Sequence, residues 1–198
     1  MVFTRRVLTR TYTDYTRYRR YLRPDFLYRC AYCLRHEYFL GGEAGCVIDH
    51  HRPQGGPYAR PDLVCFYSNL HWCCNECNSI KGDTWPSLEE YEAGRRFLDP
   101  CTPEDDHDLH WRVEPDGSLI ALTPTGAYTI ANLLLWRPHL IYHRAQVIRW
   151  EHERAELVRL SDAYDLDEAG HELVAARLAE LSSWIEPPVF DRPRRSRE

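Results

Sequence analysis

C-N-E-C-N-S-I-K-G at residues 74–82 contains a Cys-x-x-Cys pair, and an earlier pair occurs in C-A-Y-C at residues 30–33. Thiolates at this spacing are typical of structural zinc sites, in which four sulfurs surround the metal and leave no open position. The eight cysteines could instead form four disulfides, but the N-terminus lacks the apolar stretch of a secretory signal, which favours a metal site. Of the other cysteines, only Cys73 is a rival ligand. The predicted zinc ligands are Cys30, Cys33, Cys74 and Cys77.

The segment between the two pairs contains I-D-H-H-R-P at residues 48–53. The pattern of residues 46–49 predicts a short buried strand that ends in polar residues. A strand of this kind can present reactive side chains at the edge of the folded core. Residues 69–72 lead into a predicted helix that runs through residue 81, on which Cys74 and Asn78 share a face. One helix can thus direct one side chain at the zinc and another at a reactive centre.

Positive charge is concentrated at the N-terminus, although the net charge is -5. Residues 1–35 hold nine arginines and two acidic residues with tyrosines threaded among them, a pattern that favours phosphate contacts. The alternative is that Tyr15, Tyr18 and Leu22 form the buried stripe of a helix. Lys81 is the only lysine of the chain, which suggests a dedicated phosphate contact. The predicted nucleic-acid contacts are Lys81, Arg17, Arg19, Arg20, Arg52 and Arg60, the last two with plain surface charge as the alternative.

The 198 residues divide into four predicted parts. These are a basic arm at 1–25, a core at 26–100, a hairpin with a helical region at 101–186, and a disordered basic tail at 187–198. No apolar run of eighteen or more residues occurs. We therefore expect no membrane span and a cytoplasmic location.

Local signals predict several elements after the second cysteine pair. Ser87 and Glu90 stand in capping-box register, which predicts a short helix that runs to about Phe97. Two short apolar segments joined by E-P-D-G predict a hairpin over 109–122. Apolar residues at helical spacing then predict a short helix before Pro138 and two longer ones, at about 140–160 and 167–184.

The core resembles the zinc-binding subgroup of the HNH endonuclease family, whose ββα-metal fold carries a nuclease site on a hairpin and one helix. The resemblance rests on the order, spacing and type of residues in four motifs, which are C-A-Y-C at 30–33, I-D-H-H-R-P at 48–53, N-L at 69–70 and C-N-E-C-N-S-I-K-G at 74–82. It implies an α+β protein with a zinc-stapled core and a mainly helical C-terminal part. More loosely, residues 97–133 are similar to small bacterial HNH proteins, some of which accompany a partner ATPase in phage-defence complexes.

Carried over position by position, the resemblance makes His50 the general base and Asp49 and Asn78 the ligands of a catalytic divalent ion, Mg²⁺ or Mn²⁺. It makes Asn69 the middle residue, which braces the loop and orients the base. The third family position, Asn78 here, is His in some members, and its amide still offers a metal-binding oxygen. His51 is the rival base, but strand alternation directs the two imidazoles to opposite sides, and His50 directly follows Asp49.

The chemistry of these residue types agrees with the resemblance. Phosphodiester hydrolysis needs a deprotonated water in line with the leaving oxygen and a cation that holds the developing charge. A neutral imidazole suits the first task, and hard oxygen ligands suit a Mg²⁺ ion for the second. We therefore predict an endonuclease that acts on DNA and, as the resemblance implies, leaves a 5' phosphate and a 3' hydroxyl. Two alternatives stay open: a zinc-knuckle nucleic-acid-binding or scaffold protein with an inert nuclease site, and an RNA-directed HNH nuclease.

Overall fold

The computed structural model describes residues 1–189 as a mixture of helices and two small antiparallel sheets, which agrees with the predicted α+β class. The strands are β1 (Cys46–His50), β2 (Leu70–Cys74), β3 (Trp111–Val113) and β4 (Leu119–Ala121). The helices are α1 (Arg19–Asp25), α2 (Asn75–Lys81), α3 (Leu88–Glu92), α4 (His107–His110), α5 (Pro124–Asn132), α6 (Pro138–Ala163) and α7 (Glu168–Ile185).

The hairpin of β1 and β2 positions the candidate site. The two strands pair antiparallel with Cys46 opposite Cys74, so the predicted strand β1 is confirmed and is one residue longer. The predicted helix begins later than expected. Residues 70–74, all buried, form β2 because they pair with β1, and Cys74 becomes the N-cap of α2. Cys74 therefore lies at the junction of strand and helix, where its Sγ accepts a hydrogen bond of 3.4 Å from the Cys77 N–H.

The N-terminal arm packs into the same hydrophobic core as the hairpin. Phe3, Tyr18 and Leu22 are buried there, and the Phe3 N–H donates a hydrogen bond of 2.7 Å to the Pro100 carbonyl. The alternative of a buried stripe is therefore borne out for Tyr18 and Leu22, whereas Tyr15 is only half-buried. The arm is an integral part of the folded structure around the hairpin.

The region after α2 follows the local signals in part. Ser87 and Glu90 form the predicted capping box at the start of α3. This helix ends at Glu92 and does not reach Phe97, because the chain turns at Gly94 with a φ of +75° and Phe97 is buried in the core. The predicted hairpin is confirmed as β3 and β4, although it is shorter because its expected first residues belong to α4.

The two long C-terminal helices, α6 and α7, agree with the predicted helical segments to within a few residues. They pack through Trp150 and Trp184, whose ring centroids are 5.3 Å apart, and through an ion pair of 2.7 Å between Arg177 and Glu153. Within residues 1–189, no helix is both long and apolar enough to cross a membrane. Most of the predicted tail, residues 190–198, lies outside the described residues.

Candidate functional site

The four predicted zinc ligands come together in one buried cluster. The Sγ atoms of Cys30, Cys33, Cys74 and Cys77 all lie within 4.8 Å of one another. The first pair is held by a tight turn that is tied to β2 by the Ala31 N–H, which donates a hydrogen bond of 2.8 Å to the Trp72 carbonyl. The second pair straddles the start of α2. The cluster can hold a metal ion, and its four soft, fully enclosed donors fit the closed coordination of structural zinc.

Cys73, the rival ligand, lies beside the cluster. Its Sγ is 3.9 Å from that of Cys30 and donates to the Cys74 carbonyl, but it is not among the four sulfurs that converge. Arg137 contributes positive charge on the other side, where its Nη2 donates a hydrogen bond of 3.3 Å to the Cys77 Sγ. A buried guanidinium at this position stabilises negative charge on the Cys77 sulfur.

A cavity of about 440 Å³ opens at the end of β1. Its wall combines side chains from β1, the turn before α1, the loop after β1 and the end of α2. Three predicted site residues, Asp49, His50 and Asn78, line this cavity together, and so does Arg19. The structure therefore brings the proposed base and the proposed oxygen ligands to one solvent-accessible place.

The His50 ring is oriented by the loop that follows β1. Its Nε2 lies 3.0 Å from the Val64 carbonyl, and the ring makes an edge contact with Tyr15 at 4.7 Å between centroids. Because a carbonyl can only accept, Nε2 carries the hydrogen, and Nδ1 of the neutral ring has a free lone pair. Burial lowers the pKa of His50 from 6.5, despite the opposing effects of Val64 and Asp49, and so favours the neutral ring at pH 7.

Asp49 is buried and receives a donor on each carboxylate oxygen. The Tyr32 hydroxyl donates to Oδ2, and the Lys81 ammonium lies 3.1 Å from Oδ1 while also donating 2.7 Å to the His50 carbonyl. Lys81 is fully buried. The prediction that Lys81 contacts a phosphate is therefore wrong, because its charge is enclosed and paired with Asp49.

Asn69 is buried outside the cavity and connects two parts of the loop. Its Oδ1 accepts a hydrogen bond of 2.8 Å from the Arg52 N–H, and its Nδ2 donates to the carbonyls of Arg52 and Leu63. Leu63 immediately precedes Val64, whose carbonyl orients His50. This geometry is what a bracing role requires.

His51 points away from the cavity. Its ring lies 4.9 Å from that of His71 and 5.1 Å from that of Trp85, measured between centroids. Burial lowers the pKa of His51 well below its ordinary value, so the ring is neutral. Its Nδ1 is buried and has no hydrogen-bond partner among the described residues. Alternation along the chain thus separates the two histidines, as expected.

Arg19 lies in the cavity wall, but its guanidinium serves the fold. Nε donates a hydrogen bond of 2.7 Å to the Glu43 carboxylate, and Nη2 donates to the carbonyls of Glu43 and Cys46. The group also stacks on Trp72 at 4.7 Å from the ring centroid. These contacts leave Arg19 less free to bind phosphate than its sequence neighbours.

Arg17 and Arg20 lie on the outside of the arm. Both are exposed; Arg17 lies over the Tyr12 ring at 4.7 Å, and Arg20 donates to the hydroxyls of Tyr12 and Tyr21. Tyrosines threaded among arginines therefore act here as cation–π and hydrogen-bond partners of those arginines.

Arg52 and Arg60 differ in their surroundings. Arg52 stacks on Trp85 at 4.5 Å from the ring centroid, and its Nε is buried without a hydrogen-bond partner among the described residues. Arg60 is exposed and forms an ion pair with Asp62 at 2.6 Å, which agrees with the alternative of plain surface charge.

Several residues of the site were not predicted from the sequence. Tyr15, Thr16 and Asp83 line the cavity, and Tyr32 contacts Asp49 from the first cysteine pair. The position of Tyr32 inside C-A-Y-C was visible, but no spacing rule connects it with Asp49.

Comparison of the chain with protein-family models, with curated proteins and with solved structures finds no match. The functional reading therefore rests on the geometry and chemistry of the residues themselves.

Proposed function

We propose that the chain is an HNH-type endonuclease that hydrolyses DNA phosphodiester bonds with one catalytic divalent ion and His50 as the general base. The observation that carries the proposal is the state of His50. Its Nε2–H is held by the Val64 carbonyl, which leaves Nδ1 to accept a proton, and it shares one cavity with Asp49 and Asn78. A base with a fixed tautomer beside hard oxygen donors is what metal-assisted hydrolysis requires.

The order of elements also supports this function. Strands β1 and β2 form a hairpin that leads directly into α2, which is the arrangement that the HNH resemblance implies. The four-cysteine cluster at the base of α2 is then a structural zinc site. Zinc binding to such a site contributes on the order of 10 kcal/mol to folding, which is enough to determine whether a small hairpin and helix form.

Asp49 and Asn78 are the residues that would hold the catalytic ion. Their carboxylate and amide oxygens suit Mg²⁺ or Mn²⁺, which prefer hard ligands and complete their shells with water and substrate phosphate. A divalent ion bound there would stabilise the charge that builds on the phosphate and on the leaving 3' oxygen. Tyr32 and Lys81 each donate one hydrogen bond, to different oxygens of Asp49. Each oxygen therefore keeps a lone pair that can bind the ion.

The chain's own residues perform the proton transfer. Nδ1 of His50 removes a proton from a water molecule in the cavity, and the resulting imidazolium keeps its Nε2–H bond to the Val64 carbonyl. The negative charge of Asp49 stabilises the imidazolium further, since it raises the pKa of His50 against the effect of burial. Asn69 fixes the loop that carries this carbonyl. Attack of the hydroxide on phosphorus breaks the bond to the 3' oxygen, which takes a proton from solvent water. The products are a 5' phosphate and a 3' hydroxyl.

Nucleic acid would approach across the exposed arginines of the arm. Arg17 and Arg20 are exposed on this surface, and Tyr15 and Thr16 of the same segment line the cavity. The HNH resemblance extends the proposal to a role as a nuclease effector in phage defence beside a partner ATPase.

The direct test is a digest of plasmid, single-stranded DNA and transfer RNA by zinc-loaded protein with Mg²⁺ or Mn²⁺. We expect cleavage of DNA by the wild type and none by a His50→Ala variant that is folded and zinc-loaded at the assay temperature. Cleavage of transfer RNA alone would favour the RNA-directed alternative. No cleavage of any substrate by a folded, zinc-loaded protein would favour an inert binding or scaffold protein.

A further inference from the structure

A buried chain of polar side chains extends behind Asp49, away from the cavity. The Tyr32 hydroxyl donates to Oδ2 of Asp49. The same hydroxyl lies 3.3 Å from Nδ1 of His71, and Nε2 of His71 lies 3.2 Å from Oδ1 of Asp99. The side chains of Tyr32 and His71 have essentially no solvent exposure. With its Nε2–H donated to Asp99, the neutral His71 ring has no hydrogen on Nδ1, and the single proton of Tyr32 goes to Asp49. His71 therefore positions Tyr32 by packing edge-on against its ring, at 5.7 Å between centroids.

The surroundings of Tyr32 keep it a hydrogen-bond donor. A carboxylate can only accept, so the hydroxyl is the donor in its bond to Asp49. Tyr32 also lies between two cysteines of the metal cluster, and the adjoining Ala31 N–H binds the β2 backbone at Trp72. The hydroxyl is therefore held by the turn that carries the first cysteine pair.

Asp99 anchors the far end of the chain. Its Oδ1 accepts hydrogen bonds from His71 and from the Cys101 N–H at 3.1 Å, and Arg5 lies 3.5 Å away. Burial alone would raise the pKa of Asp99, but its bond to His71 and the positive charge of Arg5 hold that pKa well below its ordinary value. Asp99 is therefore an ionised acceptor that fixes the His71 ring.

We infer that Tyr32, with His71 and Asp99 behind it, is a positioning residue that sets the affinity of the Asp49 site for its divalent ion. The inference rests on the proposed function insofar as Asp49 is a ligand of that ion. Two donors hold the carboxylate of Asp49, Tyr32 at Oδ2 and Lys81 at Oδ1. Without the hydroxyl, Lys81 is the remaining side-chain donor and draws the carboxylate towards itself, in competition with the metal. Outer-sphere partners of this kind typically change metal affinity by about 10- to 100-fold.

The test is Mn²⁺ binding to the zinc-loaded protein, measured by electron paramagnetic resonance without nucleic acid. We expect Tyr32→Phe to raise the dissociation constant by about 10- to 100-fold, while the zinc content and melting temperature stay near wild type. The Mn²⁺ concentration that gives half-maximal cleavage should rise by a similar factor, because the hydroxyl acts through the metal ligand Asp49. Asp99→Asn should shift the affinity in the same direction, and it leaves the cysteine turn intact should Tyr32→Phe fail to fold.

The matched control is Tyr67→Phe, which removes another hydroxyl bonded to a buried carboxylate, that of Asp25 at 2.7 Å. This variant should bind Mn²⁺ like the wild type. Unchanged Mn²⁺ affinity in both Tyr32→Phe and Asp99→Asn would overturn the inference while leaving nuclease activity intact. Conversely, Mn²⁺ binding that depends on both Asp49 and Tyr32, in a protein that cuts no nucleic acid, would refute the proposed function and keep the inference.

The inference would also be overturned if the protein bound a second zinc ion per chain and the Asp99→Asn variant lost it. His71, Asp99 and Cys101 place possible ligand atoms within 4.8 Å of one another, and such a result would mean that a metal occupies the end of the chain. The expected content is one zinc ion, bound by the four cysteines.

Discussion

The four-cysteine cluster and the cavity beside it use the same hairpin and helix for opposite purposes. In α2, Cys77 is fully buried against three other sulfurs, whereas the next residue, Asn78, is half-buried and lines the cavity. The cluster has soft donors and no open side, which suits a metal that holds the fold together. The cavity has hard oxygen donors, a neutral imidazole and access to solvent, which suits chemistry on a phosphate. One short helix thus directs one side chain into the cluster and the adjacent one into the cavity.

The two centres are nevertheless connected. Tyr32 belongs to the cysteine turn and donates to Asp49 of the cavity, so the cluster determines where the carboxylate lies. Substitution of a cluster cysteine should therefore abolish both the stability and the activity, whereas substitution of a cavity residue should mainly abolish the activity. The following predictions test this asymmetry, from the largest expected effect to the smallest.

Loss of a zinc ligand should have the largest effect. Serine is itself a good N-cap, so Cys74→Ser keeps the start of α2 and isolates the loss of the metal. We expect this variant to lose its zinc and to be largely unfolded at 25 °C, because structural zinc contributes on the order of 10 kcal/mol. Zinc content and circular dichroism are the measurements. Cys65→Ser, at a half-buried position outside the cluster, is the control and should retain both.

The two adjacent histidines should separate activity from stability. We expect His50→Ala to lower the cleavage rate by roughly 10² or more, the scale of a general base, in protein that remains folded at the assay temperature. His51→Ala should keep most of the activity but melt earlier, because the ring packs between His71 and Trp85. If His51→Ala abolished cleavage and His50→Ala reduced it only slightly, His50 would not be the general base.

The pH dependence of cleavage should report the surroundings of His50. The base acts in its neutral form, so the rate is full above its pKa and falls as the pH decreases through that pKa. Burial lowers this pKa below 6.5, and the acidic limb of kcat/KM should therefore have its midpoint below that value, with a slope of one. A midpoint above 6.5 would mean that His50 is not the buried, neutral base.

The arm should show the smallest effect. Arg17 is exposed, so Arg17→Gln should leave the melting temperature unchanged and reduce the slope of log affinity against log salt by about 0.9 if it contacts one phosphate of duplex DNA. Arg19→Gln is the counterpart, because Arg19 bonds to Glu43 and to the Cys46 carbonyl. It should lower the free energy of unfolding by about 1 kcal/mol or more with little change in slope. If Arg19→Gln reduced the salt slope and Arg17→Gln lowered the free energy of unfolding instead, Arg19 would be the phosphate contact and Arg17 the structural residue.

Features that depend on neighbouring residues in the chain were predictable from the sequence. The Cys-x-x-Cys spacing, the alternation that separates His50 from His51, and the capping box of Ser87 and Glu90 are all local. Each involves residues within a few positions of one another, so short-range geometry determines them.

Features that depend on distant partners were not predictable in the same way. Cys74 was predicted to lie on the helix, but residues 70–74 form a strand because they pair with β1. Lys81 had no visible partner in the sequence, and its charge is paired with Asp49, 32 residues away. Spacing alone does not show which buried charges will meet, since burial follows from the tertiary fold.

The most direct test of the central claim is to remove the two metals separately. Brief treatment with EDTA should abolish DNA cleavage while about one zinc ion per chain remains bound, and Mg²⁺ or Mn²⁺ alone should then restore the activity. This result would show a closed structural site and an exchangeable catalytic site in one small core. Full activity in the presence of EDTA, or a folded and active protein that contains no zinc, would contradict the account.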